Sequence, residues 1–279
     1  MTIFSYTQDN IHYFKQINNK HIFTQKNKKT NMATKRIIIS GATSGIGCEI
    51  AKLYIADGCK VGIMGRRIEL LNNLKSLSPE NVYVQQLDIN SDEATTKFQT
   101  LIDQMGGIDI YFHVSGIGYQ NVALDYSKEL NTVETNCKGF TRMITYAFNY
   151  FSDNGGGHIA AITSIAGTKG LGVSPAYSAT KRFQNHYIQC LAQLSNIRKK
   201  KIYFTDIRPG FVATDLLNDE HHYPMLMNKE YVAKIAYKAA IRKKKNKDNR
   251  LAICGTSGRL AIDTKLHLGT IANKKLTPL

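Results

Sequence analysis

Tyr177 and Lys181 stand four residues apart in Tyr177-Ser-Ala-Thr-Lys181. On a helix that spacing puts one side chain above the other on a single face. A phenol in water releases its proton at about pH 10. An ammonium group held beside it favours the phenolate and lowers that value. The product is a group that gives or takes a proton near neutrality, as a general acid and base must. The pattern is short enough to recur by chance in helices, so its meaning depends on whether the chain also holds a partner for that proton chemistry.

A second constellation supplies one. Gly41-Ala-Thr-Ser-Gly45-Ile-Gly47 lies between a β-branched run and an apolar-periodic segment. Glycines in a strand-to-helix turn permit a tight bend and let the backbone approach a pyrophosphate, while the helix start presents N–H groups to the anion. A ligand-free glycine turn is the plain alternative, and the strand–turn–helix placement weighs against it. A dinucleotide with a free ribose 2′-hydroxyl calls for a carboxylate at the end of the second strand, about 20 residues on. Here the sequence reads Met64-Gly65-Arg66-Arg67. Guanidinium groups suit a 2′-phosphate, so NADP(H) is the expected cofactor, with NAD(H) second and Arg66 the nearer contact. The bland alternative, two surface arginines opening a helix, is slightly disfavoured by the helix dipole. Asp88 either accepts from an adenine amino group or caps a helix beginning near Ser91.

The elements that must position these residues follow an alternating order. Short apolar runs predict strands at 36–40, 60–64, 82–87, 108–114, 157–163, 201–208 and 251–254. Helical patterns fill 46–57, 66–76, 91–104, 128–152, 176–197 and 228–242. This alternation implies right-handed crossovers and an α/β, doubly wound parallel sheet with helices on both faces, in a single domain. Residues 35–255 form that unit. Residues 1–34 are polar and lack a sustained apolar period, which predicts a poorly ordered extension. Met32 is expected to be the true start, or the stretch before it to be dispensable. Residues 256–279 form a C-terminal tail with no assigned role.

Composition excludes several classes. No apolar run reaches the ~18 residues of a membrane span, and no segment reads as a signal peptide. The five cysteines are scattered without a Cys-x-x-Cys, so neither a disulfide framework nor a zinc site is indicated, and a reducing cytoplasmic setting is expected. The net charge of +16 is concentrated in residues 1–34 (+4), 198–201 (+4) and 242–250 (+5). The two internal runs follow helical segments, where cations suit the dipole, and lack the interleaved aromatics of a base-stacking surface. Nucleic-acid binding is not expected.

Taken together, the motifs resemble those of the short-chain dehydrogenase/reductase family, in the members with a T-G-x-x-x-G-I-G nucleotide motif. The resemblance covers about residues 34–255 and keeps the family order. Its parts are Ser40-Gly-Ala-Thr-Ser-Gly-Ile-Gly47, Asp88, His113-Val-Ser-Gly116, Asn136, Ser164, Tyr177-x-x-x-Lys181, and Pro209-Gly210 followed by Thr214. It implies a Rossmann fold and four catalytic residues. Tyr177 would donate the proton to a carbonyl. Lys181 would lower its pKa and bond the nicotinamide ribose. Ser164 would bond the substrate oxygen. Asn136 would hold a water in a relay leading from Lys181. Ser164 as a strand-end cap and Asn136 as a locally bonded helix residue are the structural alternatives. The resemblance assigns cofactor contacts to Gly41, Thr43, Ser44, Gly45, Ile46 and Gly47 in the turn, to Arg66, Asp88 and Gly116, to Tyr177 and Lys181, and to Pro209, Gly210 and Thr214. Residues 211–227 would form a lid. Two departures stand out: Ser40 replaces threonine and keeps the hydroxyl, and His113 stands where an asparagine usually braces the sheet. A structural histidine is expected there.

The leading expectation is a reversible NADP(H)-dependent oxidoreductase interconverting a ketone or aldehyde and an alcohol. A non-catalytic redox sensor on the same fold is the alternative, and loss of Tyr177, Lys181 or Ser164 would have favoured it. A sugar-nucleotide epimerase is disfavoured, because only ~70 residues follow Pro209, too few for a typical separate substrate domain. Apolar lining candidates (Ile165, Leu171, Val173, Phe211, Leu216, Leu217) suggest a hydrophobic substrate, with His221 and His222 as polar lid groups. The resemblance also implies a homodimer or homotetramer formed through the helices near 128–152 and 176–197.

Overall fold

The computed structural model describes residues 35–217, 225–241, 250–254 and 261–263. Strands β1 (Arg36–Ser40), β2 (Lys60–Gly65), β3 (Val82–Gln86), β4 (Ile110–His113), β5 (Gly157–Ile162), β6 (Ile202–Pro209), β9 (Arg250–Cys254) and β10 (Ala261–Asp263) form one sheet. A separate two-stranded ribbon joins β7 (Val212–Ala213) and β8 (Met227–Asn228). The helices are α1 (Gly45–Ala56), α2 (Ile68–Lys75), α3 (Ala94–Met105), α4 (Tyr126–Val133), α5 (Phe140–Asp153), α6 (Pro175–Ile197) and α7 (Lys229–Ile241).

The sheet runs β10-β9-β6-β5-β4-β1-β2-β3. All pairs are parallel except β10 against β9. Because β1 pairs with both β2 and β4, the chain winds outward in two directions from that strand. Such a reversal opens a crevice at the carboxyl ends of the strands, and the glycine turn after β1 sits there.

Strands buried on both faces must be apolar on both. In β1, Ile37 and Ile39 point into one core and Ile38 into the other, all fully buried. The first core packs α1, α2 and α7 against the sheet through Ile50, Tyr54, Leu71 and Val232. The second packs α3, α5 and α6 through Phe98, Met143, Phe148 and Ile188. This is the expected doubly wound α/β sheet in one unit.

Three local features differ from expectation. The helix expected over 128–152 is interrupted by a π turn at Glu134–Gly139, a device that re-aims side chains without ending the helix. It turns Asn136 fully inward. The helix expected from 91 begins only at Ala94, after Glu93. Its approach is a tight turn in which Asp88 Oδ1 accepts from Asn90 N at 2.9 Å and Ser91 Oγ from Glu93 N at 3.2 Å. The third is β10, which adds an antiparallel edge where the sequence showed no element. The expectations for residues 1–34, for His221 and His222 in the lid, for the basic run 242–249 and for most of the tail fall outside the described residues.

Candidate active site

The glycine turn is shaped by its backbone. Gly41 adopts φ +78°, and a Cβ there would lie 2.7 Å from Ser115 N. A Cβ on Gly47 would lie 2.2 Å from Gly41 O. No side chain fits at either place, so the turn and the start of α1 stay bare. Helix α1 has no acidic residue in its first turn, and its N-cap Ser44 makes no capping bond from its side chain. The first N–H groups of a helix lack intrahelical partners and carry a partial positive charge. This bare, donor-rich cradle fits a pyrophosphate, so the residues present suit a dinucleotide.

Around the cradle, Thr214 closes from the lid side. Its Cγ2 would lie 3.2 Å from a Cβ built on Gly45, and its Oγ1 bonds Val212 O at 3.3 Å. Ile46 is buried under the turn. The two arginines have different settings. Arg67 lays its guanidinium over the turn, donating to Thr43 Oγ1 at 3.0 Å and Ser44 Oγ at 2.8 Å. It also approaches Asp215 at 3.7 Å. Arg66 is exposed, and among the described residues its side chain has no hydrogen bond or ion pair, while its carbonyl accepts from Gln86 Nε2 at 2.8 Å. Asp88 caps its own turn well before α3 begins at Ala94, where Glu93 holds the cap position, so the helix-cap alternative does not hold.

The residues that the sequence nominates for proton chemistry gather at the carboxyl ends of β4, β5 and β6. Helix α6 carries Tyr177 and Lys181. It begins with Pro175, whose missing N–H costs nothing at a first helical position, and Ala176 N donates to Glu129 Oε2 at 3.0 Å. The Ser178 hydroxyl accepts from Leu171 N at 3.2 Å and lies 2.8 Å from Ala166 O, tying the segment after β5 to the helix. Gly118 lies so close to Tyr177 that a Cβ there would meet the ring at 2.4 Å. Backbone therefore fixes the plane of that ring.

Ser164 follows β5, accepts from Ala166 N at 3.0 Å and lies 3.4 Å from Pro209 O. It is thus a cap of the short helical turn Ile165–Gly167, and its hydroxyl also acts to lower the pKa of the Tyr177 phenol. Lys181 is buried and its Nζ lies 5.6 Å from the Tyr177 ring centroid. A Cβ on Gly116 would meet Asn136 Oδ1 at 3.3 Å and Lys181 Nζ at 3.5 Å, so the strand β4 exit lines this same point. Asn136 clamps that exit, accepting from Ile117 N at 2.9 Å and donating to Ile117 O at 2.7 Å. Gly210 leaves β6 beside Ile165, whose Cδ1 lies 3.4 Å from its would-be Cβ.

The electrostatics depart from expectation in one respect. Burial holds the Tyr177 phenol above its ordinary value, and the opposing influence is the Ser164 bond rather than Lys181. The reason is mutual burial. Burial lowers Lys181 itself to about 8, against the opposing effects of Asp206 and Cys137. Its ammonium also faces the ring rather than clasping the hydroxyl. Behind Lys181 lies a buried polar group that the sequence reading did not pick out. Thr163 Oγ1 donates to Asp206, Asn185 Nδ2 donates to Thr163 Oγ1 at 2.7 Å, and Arg208 Nε donates to Asp206 Oδ2 at 2.8 Å. The Asp206–Arg208 spacing on β6 was its only sequence signal, a charged pair inside a strand that reads as core.

His113 is fully buried and its ring bonds the Tyr111 hydroxyl through Nδ1 at 2.9 Å. Tyr111 in turn donates to Ser40 Oγ at 3.1 Å. Burial lowers His113 to about 3, so it is neutral. Its Nε2 has no partner among the described residues. The expected structural histidine is present, satisfied on one side.

A doubly wound sheet with a bare phosphate cradle at its switch point defines a nucleotide-binding α/β protein. Residues 35–223 match the family model described as short chain dehydrogenase, and the chain belongs to that family of oxidoreductases. An uncharacterized oxidoreductase of Mycobacterium tuberculosis is 30% identical over 197 residues, covering 67% of this chain and 77% of that protein. An alcohol dehydrogenase of Thermococcus sibiricus complexed with 5-hydroxy-NADP superposes with a TM-score of 0.71 at 20% identity, over 81% of this chain and 98% of that one. A 3-ketoacyl-(acyl-carrier-protein) reductase of Brucella melitensis complexed with NADH gives 0.67 at 24%, over 74% and 90%. No described helix is long and apolar enough to cross a membrane.

Proposed function

We propose that the protein reduces a ketone or aldehyde to an alcohol, and runs the reverse, as an NADP(H)-preferring oxidoreductase. The observation that carries this reading is the convergence of Ser164, Tyr177 and Lys181 at one point of the cleft whose other end is the bare glycine turn. A nicotinamide held there would supply or accept the hydride. The residues of the chain do the rest. Ser164 and Tyr177 hold the carbonyl oxygen, Tyr177 gives the proton, and Lys181 keeps a positive charge beside the developing phenolate. Asn136 braces the β4 exit against which the reacting groups are placed. Gly116, Pro209, Gly210 and Thr214 line the cofactor from the sides, Asp88 reaches the adenine end, and Arg66, uncommitted and exposed, takes the 2′-phosphate. Solved relatives on this fold carry either NADP-type or NADH cofactors, so the arginines carry the preference.

Ile165, Leu171, Val173, Phe211 and Leu216 are exposed around the cleft mouth, which favours a hydrophobic carbonyl substrate. Self-association into a dimer or tetramer through α4–α6, and residence in a reducing compartment such as the cytoplasm, complete the reading. The test is oxidation of NADPH and of NADH, in parallel, across a panel of aliphatic, alicyclic and aromatic carbonyl compounds. Turnover with NADPH and apolar ketones is expected. No turnover with any member, alongside tight NADPH binding, would shift the reading to a redox sensor.

A further inference from the structure

The family resemblance leads one to expect a water between Lys181 and Asn136, but the structure has a side chain bridging them. Gln184, one helical turn beyond Lys181, is 1% exposed. Its Oε1 accepts from Lys181 Nζ at 3.0 Å, and its Nε2 donates to Asn136 O at 2.9 Å. Lys181 Nζ also donates to Ile162 O at 3.3 Å. An ammonium has three N–H donors, so two are held on the inner side and one is left for the cleft. An amide neither gains nor loses a proton near neutrality, whereas a water in that place would pass one on.

We propose that Gln184 is a positioning residue for the reaction assigned above: it fixes Lys181, anchors itself on the Asn136 main chain within the π turn, and closes the inner end of the proton path. Protons then reach Tyr177 and Lys181 from the cleft side. The inference rests on that pair being the proton-handling groups. The charged and titratable groups facing Lys181 are Tyr177 on its own helix, Cys137 on the π turn, His113 on β4 and Asp206 on β6. Gln184 Oε1, like Ile162 O, accepts from the ammonium, and accepting favours the charged form of Lys181.

The test is a ¹³Cε-lysine NMR titration of the full chain without dinucleotide, with Lys181 identified by the signal lost in Lys181→Met. In Gln184→Leu the acceptor is gone, and Lys181 is expected to titrate lower by about one pH unit. In Gln184→Glu an opposite charge replaces it, and Lys181 is expected to titrate higher by at least about one unit. The alkaline limb of kcat/KM should move the same way in each variant, while dinucleotide affinity stays close to the parent's. An unchanged Lys181 titration in both folded variants overturns the proposal. If Gln184→Leu does not fold, Gln184→Glu decides, and no upward shift there overturns it. The titration needs no substrate, so absence of carbonyl turnover in the parent would count against the assigned reaction without touching this result.

Discussion

The two ends of the cleft are built from different materials. At the nucleotide end the wall is backbone: Gly41 and Gly47 leave no room for a Cβ, and the helix start carries no competing side-chain cap. At the other end, where the proposed proton chemistry sits, the wall is side chain, with Asn136, Ser164, Lys181, Gln184, Asn185 and Asp206 all buried and each hydrogen-bonded. A phosphate makes the same demand in any dinucleotide, and main-chain N–H groups meet it with a geometry fixed by the fold. A tuned acid needs particular functional groups at particular depths, because burial and partners set its pKa. The nucleotide end can therefore be specified by glycine spacing, whereas the proton end depends on a network drawn from four elements.

This division can be broken by substitution. The largest effect is expected from Tyr177→Phe. Turnover should fall by about 10³-fold, within the range for loss of a general acid, while NADPH affinity by fluorescence titration stays within about two-fold. Retained turnover would remove Tyr177 from the chemistry and merge the two ends. Next is Gly47→Val. Its side chain meets the Gly41 carbonyl, so NADPH and NADH affinity should both fall by at least about 100-fold, with overpacking costing roughly 1–3 kcal/mol of stability. A Gly47 variant that binds normally but turns over slowly would contradict a purely binding role for that end.

Smaller effects sharpen the comparison. Arg66→Ala should weaken NADPH by about ten-fold, the scale of one solvent-facing charged hydrogen bond, and leave NADH unchanged. Equal losses for both cofactors would transfer the 2′-phosphate to another group, Arg67 being the neighbour already poised over the turn. The smallest effect concerns stability and acid. His113 is lowered to about 3 in the folded chain, against about 6.5 when unfolded. The unfolded chain thus binds the extra proton first. The stability His113 contributes is complete above about pH 6.5 and declines, by roughly 1 kcal/mol per pH unit, as pH falls toward its folded value. His113→Asn should flatten that part of a urea-midpoint profile. An identical slope in the variant would assign the acid sensitivity elsewhere, such as to Asp109, which Arg36 holds below its ordinary value against the upward effect of burial.

Much of the fold was legible because its signals are local. Apolar runs of strand length alternating with helical periods gave seven parallel strands and the helices between them, with ends off by a few residues where caps were misjudged. The late start at Ala94 is such a case: Asp88 and Ser91 close a turn of their own before the helix begins. The π turn was illegible, since Glu134–Gly139 has no composition that departs from an ordinary helix. Gln184 was missed although a polar residue one turn from Lys181, on an inward helix face, was a usable signal.

The sequence by itself determined the glycine turn, the Tyr177–Lys181 spacing and the arginines at the ribose end, because each lies within a few residues along the chain and its meaning depends on backbone geometry that local sequence dictates. Tertiary structure decided what those groups feel. Only packing brings Asn136 to Gln184, 48 residues away, sets Asp206 behind Lys181, and leaves Tyr177 above its ordinary pKa with Ser164 as its counterweight. The reason is physical: the charge state of a buried group depends on desolvation and on partners from other elements, and neither is fixed until the elements pack together.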